Sequence, residues 1–234
     1  MRAVIVGLAL LLSLTACAPT EAVPSGPVAL TSEQSERLAV TRFRNFDAGV
    51  RAIEVTVPAE TGELRLEGWF DYTGGAGYAA VTAAGEPAGL IWWTHEQVAT
   101  RSIPVDVAPF PLPADGWESG ALDPSSTALA SAVALVASLG ADRPENPQLL
   151  AQSDAAWLRS DTVDGTAVDV FLGPSGDSAT SAPVDESLRA RYWVDESGVL
   201  LRFELPQGSS GDGMTSLFTP ATGIVIPLTV PGTP

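Results

Sequence analysis

The chain contains no lysine, one cysteine and one histidine. Its twelve basic residues are therefore all arginine, and they stand against 28 acidic residues, for a formal net charge of −16. So acidic a surface repels phosphate backbones and anionic lipid headgroups, which argues against nucleic acid as a partner. A zinc site needs several His or Cys ligands, and one of each does not supply them. With Cys17 as the only thiol no internal disulfide can form, so stability has to come from a packed core. Lysine codons are A-rich, and their avoidance points to a GC-rich genome such as that of an actinobacterium.

The usual catalytic signatures are missing too. Ser175-Gly176-Asp177-Ser178 lacks the Gly-x-Ser-x-Gly elbow of a nucleophilic serine. No lysine follows Gly74-Gly75-Ala76-Gly77 and strand patterns flank it, so it reads as a turn rather than a phosphate loop. Acidic pairs such as Asp185-Glu186 do not have the ordered spacing of a calcium loop. His95 follows Trp92-Trp93-Thr94 and could serve as a base, or the tryptophans as a sugar platform, but a strand with aromatics on both faces accounts for them. A hydrolase built from carboxylates distant in sequence stays open as a minor alternative. The expectation is a non-enzyme with no cofactor and no metal.

What is present begins with an export signal. Met1-Arg2 is a short positive start, Ala3 to Leu12 are almost wholly apolar, and small residues precede Cys17, the three-part plan of a secretory signal peptide. The apolar stretch is well short of the roughly 20 residues that span a bilayer. Leu14-Thr15-Ala16-Cys17 resembles the bacterial lipobox, which implies cleavage after residue 16 and lipid, palmitate among its acyl chains, on Cys17; the plain alternative is a secreted protein with a stray cysteine. Two acyl chains meet the requirement for stable anchoring that one chain, at ~0.8 kcal/mol per methylene, does not. Residues 1–16 hold one arginine and no acid, leaving 11 basic against 28 acidic residues and a net charge of −17. Residues 17–29 read as the lipidated cysteine and a Pro-, Ala- and Ser-rich tether, and 30–234 as one domain.

Within that domain the period changes twice. Thr31-Ser32-Glu33-Gln34 is a capping box, and Leu38, Val40, Phe43 and Phe46 follow at roughly helical spacing, predicting a helix from about 32 to 45. From Val50 to Ser102 the period is two, with Ile53, Val55 and Val57, then Leu64, Leu66, Phe70 and Tyr72, alternating with polar residues. Glu60-Thr61-Gly62, Gly74-Gly75 and Gly85-Glu86-Pro87 punctuate it as hairpins, giving five strands. Four prolines between 104 and 113 end the pairing. Asp123-Pro124-Ser125-Ser126 opens a second helix with Leu129, Ala132, Val133, Val136 and Leu139 on one face, and Pro147 to Ser153 forms a helical turn. Alternation then returns in six segments: 156–161, 166–172, 188–195, 199–205, 214–218 and 224–228. Strands, helices, then strands with hairpin links predict an α+β fold with one large antiparallel sheet of about 11 strands.

Several short motifs extend this reading. Leu122-Asp123-Pro124, Val163-Asp164-Gly165-Thr166-Ala167-Val168, Gly62-Glu63-Leu64-Arg65-Leu66-Glu67-Gly68, and above all Tyr192-Trp193-Val194-Asp195-Glu196-Ser197-Gly198-Val199-Leu200-Leu201-Arg202 resemble those of the LolA/LppX superfamily of bacterial lipoprotein and lipid carriers, including its LprG/LppX-type members. The resemblance covers roughly residues 30 to 230 and implies a strongly curved antiparallel sheet, a half-barrel, with helices covering its concave face. It also implies that Leu66, Phe70, Leu129, Val133, Val136, Tyr192, Leu201 and Phe203 line a cavity for a lipid, glycolipid or acylated ligand. The chain would then be a monomeric carrier held by its lipid anchor on the extracytoplasmic face of the cell membrane. The competing reading is an envelope scaffold or signalling lipoprotein with a filled core. An empty apolar space of a few hundred Å³ under the second helix would favour the carrier, and a dense interior the scaffold.

Overall fold

The computed structural model describes residues 26–60, 62–175, 186–206 and 213–229. Cys17, the leader and most of the tether lie outside them, as do Gly176-Asp177-Ser178 and Asp185. The predicted capping box is formed. Thr31 Oγ1 accepts from the Gln34 amide at 3.2 Å and Gln34 Oε1 from the Thr31 amide at 3.0 Å, starting α1 (Ser32–Ala48). The helix ends at Gly49, whose φ of 67° is a backbone conformation that glycine adopts without strain. Ser35, Leu38, Ala39, Thr41 and Asn45 form its buried face.

The five expected strands follow as β2 (Val50–Ala59), β3 (Gly62–Asp71), β4 (Ala76–Ala83), β5 (Glu86–Thr94) and β6 (Gln97–Arg101). They form an antiparallel meander after a two-residue β1 (Val28–Ala29), and β7 (Glu118–Ala121) extends it. After α2 (Ala128–Ser138) and α3 (Pro147–Gln152) come β8 (Ala156–Val163), β9 (Thr166–Leu172), β10 (Arg191–Val194), β11 (Leu200–Pro206) and β12 (Gly213–Pro220). All twelve strands belong to one antiparallel sheet, in the order β1-β8-β9-β10-β11-β12-β2-β3-β4-β5-β6-β7. The edges β1 and β7 stay unpaired to each other, so the sheet is an open, curved half-barrel in an α+β fold, as expected from the sequence.

Two faces of this sheet are covered. On the concave side one core cluster joins α1, α2 and α3 to inward residues such as Val55, Leu66, Phe70, Trp93, Phe203 and Phe218. On the convex side of β3–β6 a second cluster buries Tyr78, Leu90 and Trp92 beneath Ala108 and Leu112 and beneath Ile226. The Trp92 indole donates to the Pro227 carbonyl at 2.9 Å. The proline-rich stretch thus does end the pairing, and it then lies across the outside of the sheet.

Four details depart from the sequence reading. The segment 224–228 is not a strand: β12 already has β11 on one side and β2 on the other, so no ladder position is free beside it. Helix α2 begins at Ala128 rather than at Asp123-Pro124. There the Asp123 carboxylate accepts from the Ser125 amide and hydroxyl, closing a turn, and Thr127 caps the helix by accepting from the Ala130 amide at 3.0 Å. β10 begins at Arg191, because Glu186–Leu188 is a 3-10 turn and Arg189 folds inward onto the Gly173 and Asp154 carbonyls. The strands β1 and β7, four residues or fewer, have too little alternation to be read.

Candidate functional site

Helix α2 carries no charged residue and lies over β2, β3 and β5 with Ala130, Ala132, Val133, Val136 and Ala137 buried. Its two ends are held very differently. At the C-terminal end Arg42 Nε donates to the Ser138 carbonyl at 3.0 Å, Asn45 Nδ2 to the Leu139 carbonyl at 2.9 Å, and Arg42 Nη2 to the Gly140 carbonyl at 3.4 Å. These bonds satisfy carbonyls that a helix end leaves without partners. Asn45 is itself held by Arg51, whose Nη1 donates to Asn45 Oδ1 at 3.0 Å and whose Nη2 donates to the Leu200 and Phe218 carbonyls, each at 3.1 Å. Burial of the Arg51 guanidinium lowers its pKa.

At the N-terminal end, the hydrogen bonds of Ser125, Ser126 and Thr127 all stay within residues 123–131. None of them reaches the sheet. Between this end and the β2–β3 hairpin lies an open cleft of about 780 Å³ lined by Pro58, Ala59, Glu60, Leu64 and residues 125–129. Leu64 and Leu129 also pack against the concave core, so the cleft abuts its edge. A second open cleft, of about 440 Å³, is lined by Ala48, Val50, Val199, Leu201 and Pro220 together with Arg51 and Asp195. One of about 330 Å³ on the convex face is bordered by Glu54, Glu67 and Asp164.

Of the residues proposed as cavity lining, Leu66, Phe70, Val133, Val136 and Phe203 are fully buried in the concave core, and Leu129 and Tyr192 pack at its margin. Leu129 alone among them also lines the 780 Å³ cleft. Tyr192 packs edge-on to Phe203 at 5.1 Å between ring centroids. Burial, with Glu145 adding to it, pushes its phenol up to about 12. Leu201 is placed on the opposite face, against Val168, Val170 and Trp193. A bulge between Trp193 and Val194, where Trp193 pairs with Arg202 and Val194 with Leu200, shifts the phase of β11. Leu200 and Phe203 therefore point in together, and Leu201 does not share their face.

Beneath α2 the core is dense, with Val133 and Val136 at 0% and 1% exposure. Open space lies at the helix's N-terminal end instead. His95 sits exposed in the turn between β5 and β6, near the edge of Phe70. Among the described residues, no group of three or more His, Cys, Asp or Glu could hold a metal ion.

Among the described residues, three polar atoms of the concave core have no hydrogen-bond partner: Tyr72 Oη, Trp93 Nε1 and Ser216 Oγ. Burial pushes the Tyr72 phenol well above its ordinary range. These groups, and the Arg42–Asn45 clamp on α2, escaped the sequence reading. A signal existed at two of them. Ser216 stands between Met214 and Phe218 in the dry phase of β12, and Asn45 continues the buried face of α1, so both put a polar side chain where the pattern calls for an apolar one.

No family model and no curated protein matches the chain. Among solved structures it is similar to the Mycobacterium tuberculosis lipoprotein LppX, at 14% identity and a TM-score of 0.46 over 83% of this chain and 97% of that one. It is also similar to the Pseudomonas aeruginosa MucA/MucB complex, at 14% identity and a TM-score of 0.35 over 80% of this chain and 55% of that one. A third is an outer membrane lipoprotein-sorting protein domain from Vibrio parahaemolyticus, at 12% identity and a TM-score of 0.27 over 83% and 95%.

Proposed function

We propose that the chain is a membrane-tethered binding protein that takes an apolar chain of a lipid-like ligand between α2 and the concave face of the sheet. The observation that carries this reading is the asymmetry of α2: its C-terminal end is clamped to α1, whereas at the end facing the 780 Å³ cleft no hydrogen bond among the described residues ties residues 125–127 to another element. A cleft of that size lies within the range of small-molecule sites. The helix swings about its clamped end, and the ligand enters beneath Leu129.

Lifting α2 uncovers its three buried alanines and two valines and a matching area of the sheet beneath, which together cost roughly 10 kcal/mol. An acyl chain of about twelve or more methylenes, at ~0.8 kcal/mol each, offsets that cost. The dense packing under α2 is then the closed, unloaded form. The same density supports a second reading, an envelope scaffold whose core stays filled.

The two readings separate in a locking experiment. In a Cys17→Ala background, Leu64→Cys and Leu129→Cys place one thiol on each side of the cleft. Oxidation should abolish uptake of a fluorescent lipid and reduction restore it. Failure of the unmodified protein to take up the lipid at all would leave the scaffold.

The anchor is a separate part of this reading and rests on the Leu14-Thr15-Ala16-Cys17 sequence. Lipid on Cys17 holds the domain at the extracytoplasmic face of the cell membrane, with residues 18–27 as spacer. Cys17→Ala is expected to end incorporation of radiolabelled fatty acid. Continued labelling of that variant would refute lipid attachment at Cys17.

A further inference from the structure

The cleft of about 330 Å³ on the convex face takes no part in the lipid binding proposed above. It lies over the seam where β12 meets β2, and its lining forms two rows across three strands. Thr219, Ala52 and Trp69 make one row, and Leu217, Glu54 and Glu67 the next. The rows are two residues apart on each strand, so they share a face. Val107 and Ala108 of the proline-rich outer stretch border the cleft, and so does Asp164 of the β8–β9 turn. Phe110 packs edge-on to Trp69, with ring centroids 6.1 Å apart, and props the indole in place.

The charges here are unbalanced. Glu54 and Glu67 stand directly opposite each other, an arrangement that is unfavourable for like charges. Arg65 relieves it from outside the cleft, with Nη2 2.9 Å from Glu54 Oε1 and Nε 2.6 Å from Glu67 Oε1. One guanidinium against two carboxylates leaves a negative charge, and the exposed Asp164 adds another. No basic residue lines the cleft. The acids are spread around it rather than gathered, since no group of three or more among the described residues could hold a metal ion.

These features select among ligands. An anion is repelled, and a bare hydrocarbon strips water from carboxylates that it cannot pair. An organic cation gains both from the carboxylates and from the face of Trp69. The surroundings select further: Val107 and Phe110 are 71% and 41% exposed beside the cleft. A small free cation leaves these side chains in water, whereas a segment that carries its cation between apolar residues covers them. The net charge of −16 draws such a segment in.

We infer that this cleft is a docking site for a basic segment of another protein. An arginine side chain lies on Trp69 beside the carboxylates, and its apolar neighbours cover Val107 and Phe110. Arginine suits the site better than lysine, because its planar guanidinium stacks on an indole and pairs with the carboxylate oxygens that Arg65 leaves open. The site is on the opposite face of the sheet from α2, so it stands apart from lipid uptake.

The test uses a fluorescein-labelled peptide, Gly-Val-Arg-Val-Arg-Val-Gly, and a copy with citrulline in place of both arginines, which keeps their shape without their charge. Fluorescence anisotropy would follow binding to the wild type, Asp164→Asn, Trp69→Leu and Glu36→Gln. Asp164 has a φ of 47°, which asparagine also adopts readily. Asp164→Asn and Trp69→Leu should each weaken binding of the arginine peptide roughly three- to tenfold. Glu36→Gln removes an exposed acid of α1 and should cost less than about twofold. The citrulline copy should bind at least about tenfold more weakly than the arginine peptide.

Equal losses in Glu36→Gln and Asp164→Asn would show attraction to the overall charge alone and overturn the site. So would equal binding of the two peptides, or no saturable binding by the wild type. Competition by free arginine amide at the affinity of the peptide would make the occupant a small cation, and would overturn the protein partner. If Trp69→Leu lowers the thermal midpoint, Asp164→Asn decides alone.

Discussion

Arg37 of α1 and Asp169 of β9 form an ion pair, with Arg37 Nη1 donating to Asp169 Oδ2 at 2.6 Å; their side chains are only 16% and 19% exposed. The other carboxylate oxygen, Oδ1, accepts from Trp157 Nε1 at 2.9 Å and Ser160 Oγ at 3.0 Å. One acid thus gathers donors from a helix and an adjacent strand. It makes α1 a fixed part of the cover over the sheet, in contrast to α2, whose N-terminal end is free.

Asp169→Ala should therefore destabilise the fold by about 2 to 3 kcal/mol, since it leaves the Trp157 indole without its acceptor and the Arg37 guanidinium with only the exposed Glu33 as partner. Urea unfolding would measure it. The double variant Arg37→Met, Asp169→Leu should recover part of the loss, because removing both partners leaves no unpaired charge. A loss below about 0.5 kcal/mol in Asp169→Ala would mean that this pair behaves as an ordinary surface one.

Across β11 the bulge sets two neighbouring leucine and phenylalanine positions apart. Phe203, 1% exposed in the concave core, should cost roughly 3 to 5 kcal/mol when cut to alanine. Leu201, half-buried on the other face, should cost about 1 to 2 kcal/mol. Equal losses in thermal or chemical denaturation would contradict the shifted phase.

The position for blocking the cleft moves with the structure. The resemblance placed Val133 in a cavity wall, but Val133 is fully buried, and an indole there overpacks the core by about 1 to 3 kcal/mol or more. Leu129, half-buried and lining the cleft, is the better site. Leu129→Trp should reduce fluorescent-lipid uptake severalfold with an unchanged circular dichroism spectrum, whereas Val133→Trp should lower the melting midpoint. Undiminished uptake by Leu129→Trp would move the entrance elsewhere.

All three tyrosines are held protonated by burial, Tyr78 and Tyr192 up to about 12 and Tyr72 higher still. Groups whose pKa is raised on folding contribute stability that is whole below the unfolded value, about 10, and is lost as pH rises through the folded one. The protein should thus weaken between about pH 10 and 12. Tyrosinate absorbance should rise in a single step together with loss of circular dichroism. A gradual rise near pH 10 with the spectrum intact would show the phenols open to water.

The sequence made α1 and β2–β6 legible for local reasons: a complete capping box at Thr31 and Gln34, and long alternations broken by glycine turns. It misled where a local cue had a rival close by. Asp123-Pro124 looks like a helix start, yet Thr127, four residues on, does the capping. The bulge at Trp193 could not be read, because a register shift belongs to a pair of strands and appears in neither alone. The outer cover failed for a different reason. Residues 102–117 have no period, and 224–228 read as one more strand; their few apolar side chains find partners only on a surface that the rest of the chain builds. The same holds for the site, where Leu66, Phe70 and Phe203 were placed inward correctly, while the free end of α2 depends on what Arg42 and Asn45 reach across space.

The sheet is joined at its centre by β2 and β12, in which residues 51–56 pair with residues 215–220, so two runs of hairpins meet between the beginning and the end of the domain. For a chain that emerges from its N-terminus, this sets an order of events. The strands from β2 to β7 can fold on one another as they appear, but the open side of β2 and the apolar outer surface around Trp92 must wait for β12 and residues 224–228. Until those residues arrive, the nascent domain exposes both a bare strand edge and a greasy patch, the two features that holdase chaperones recognise. A premature stop before β12 would therefore leave a half-sheet with its adhesive margin uncovered, rather than a smaller version of the same domain.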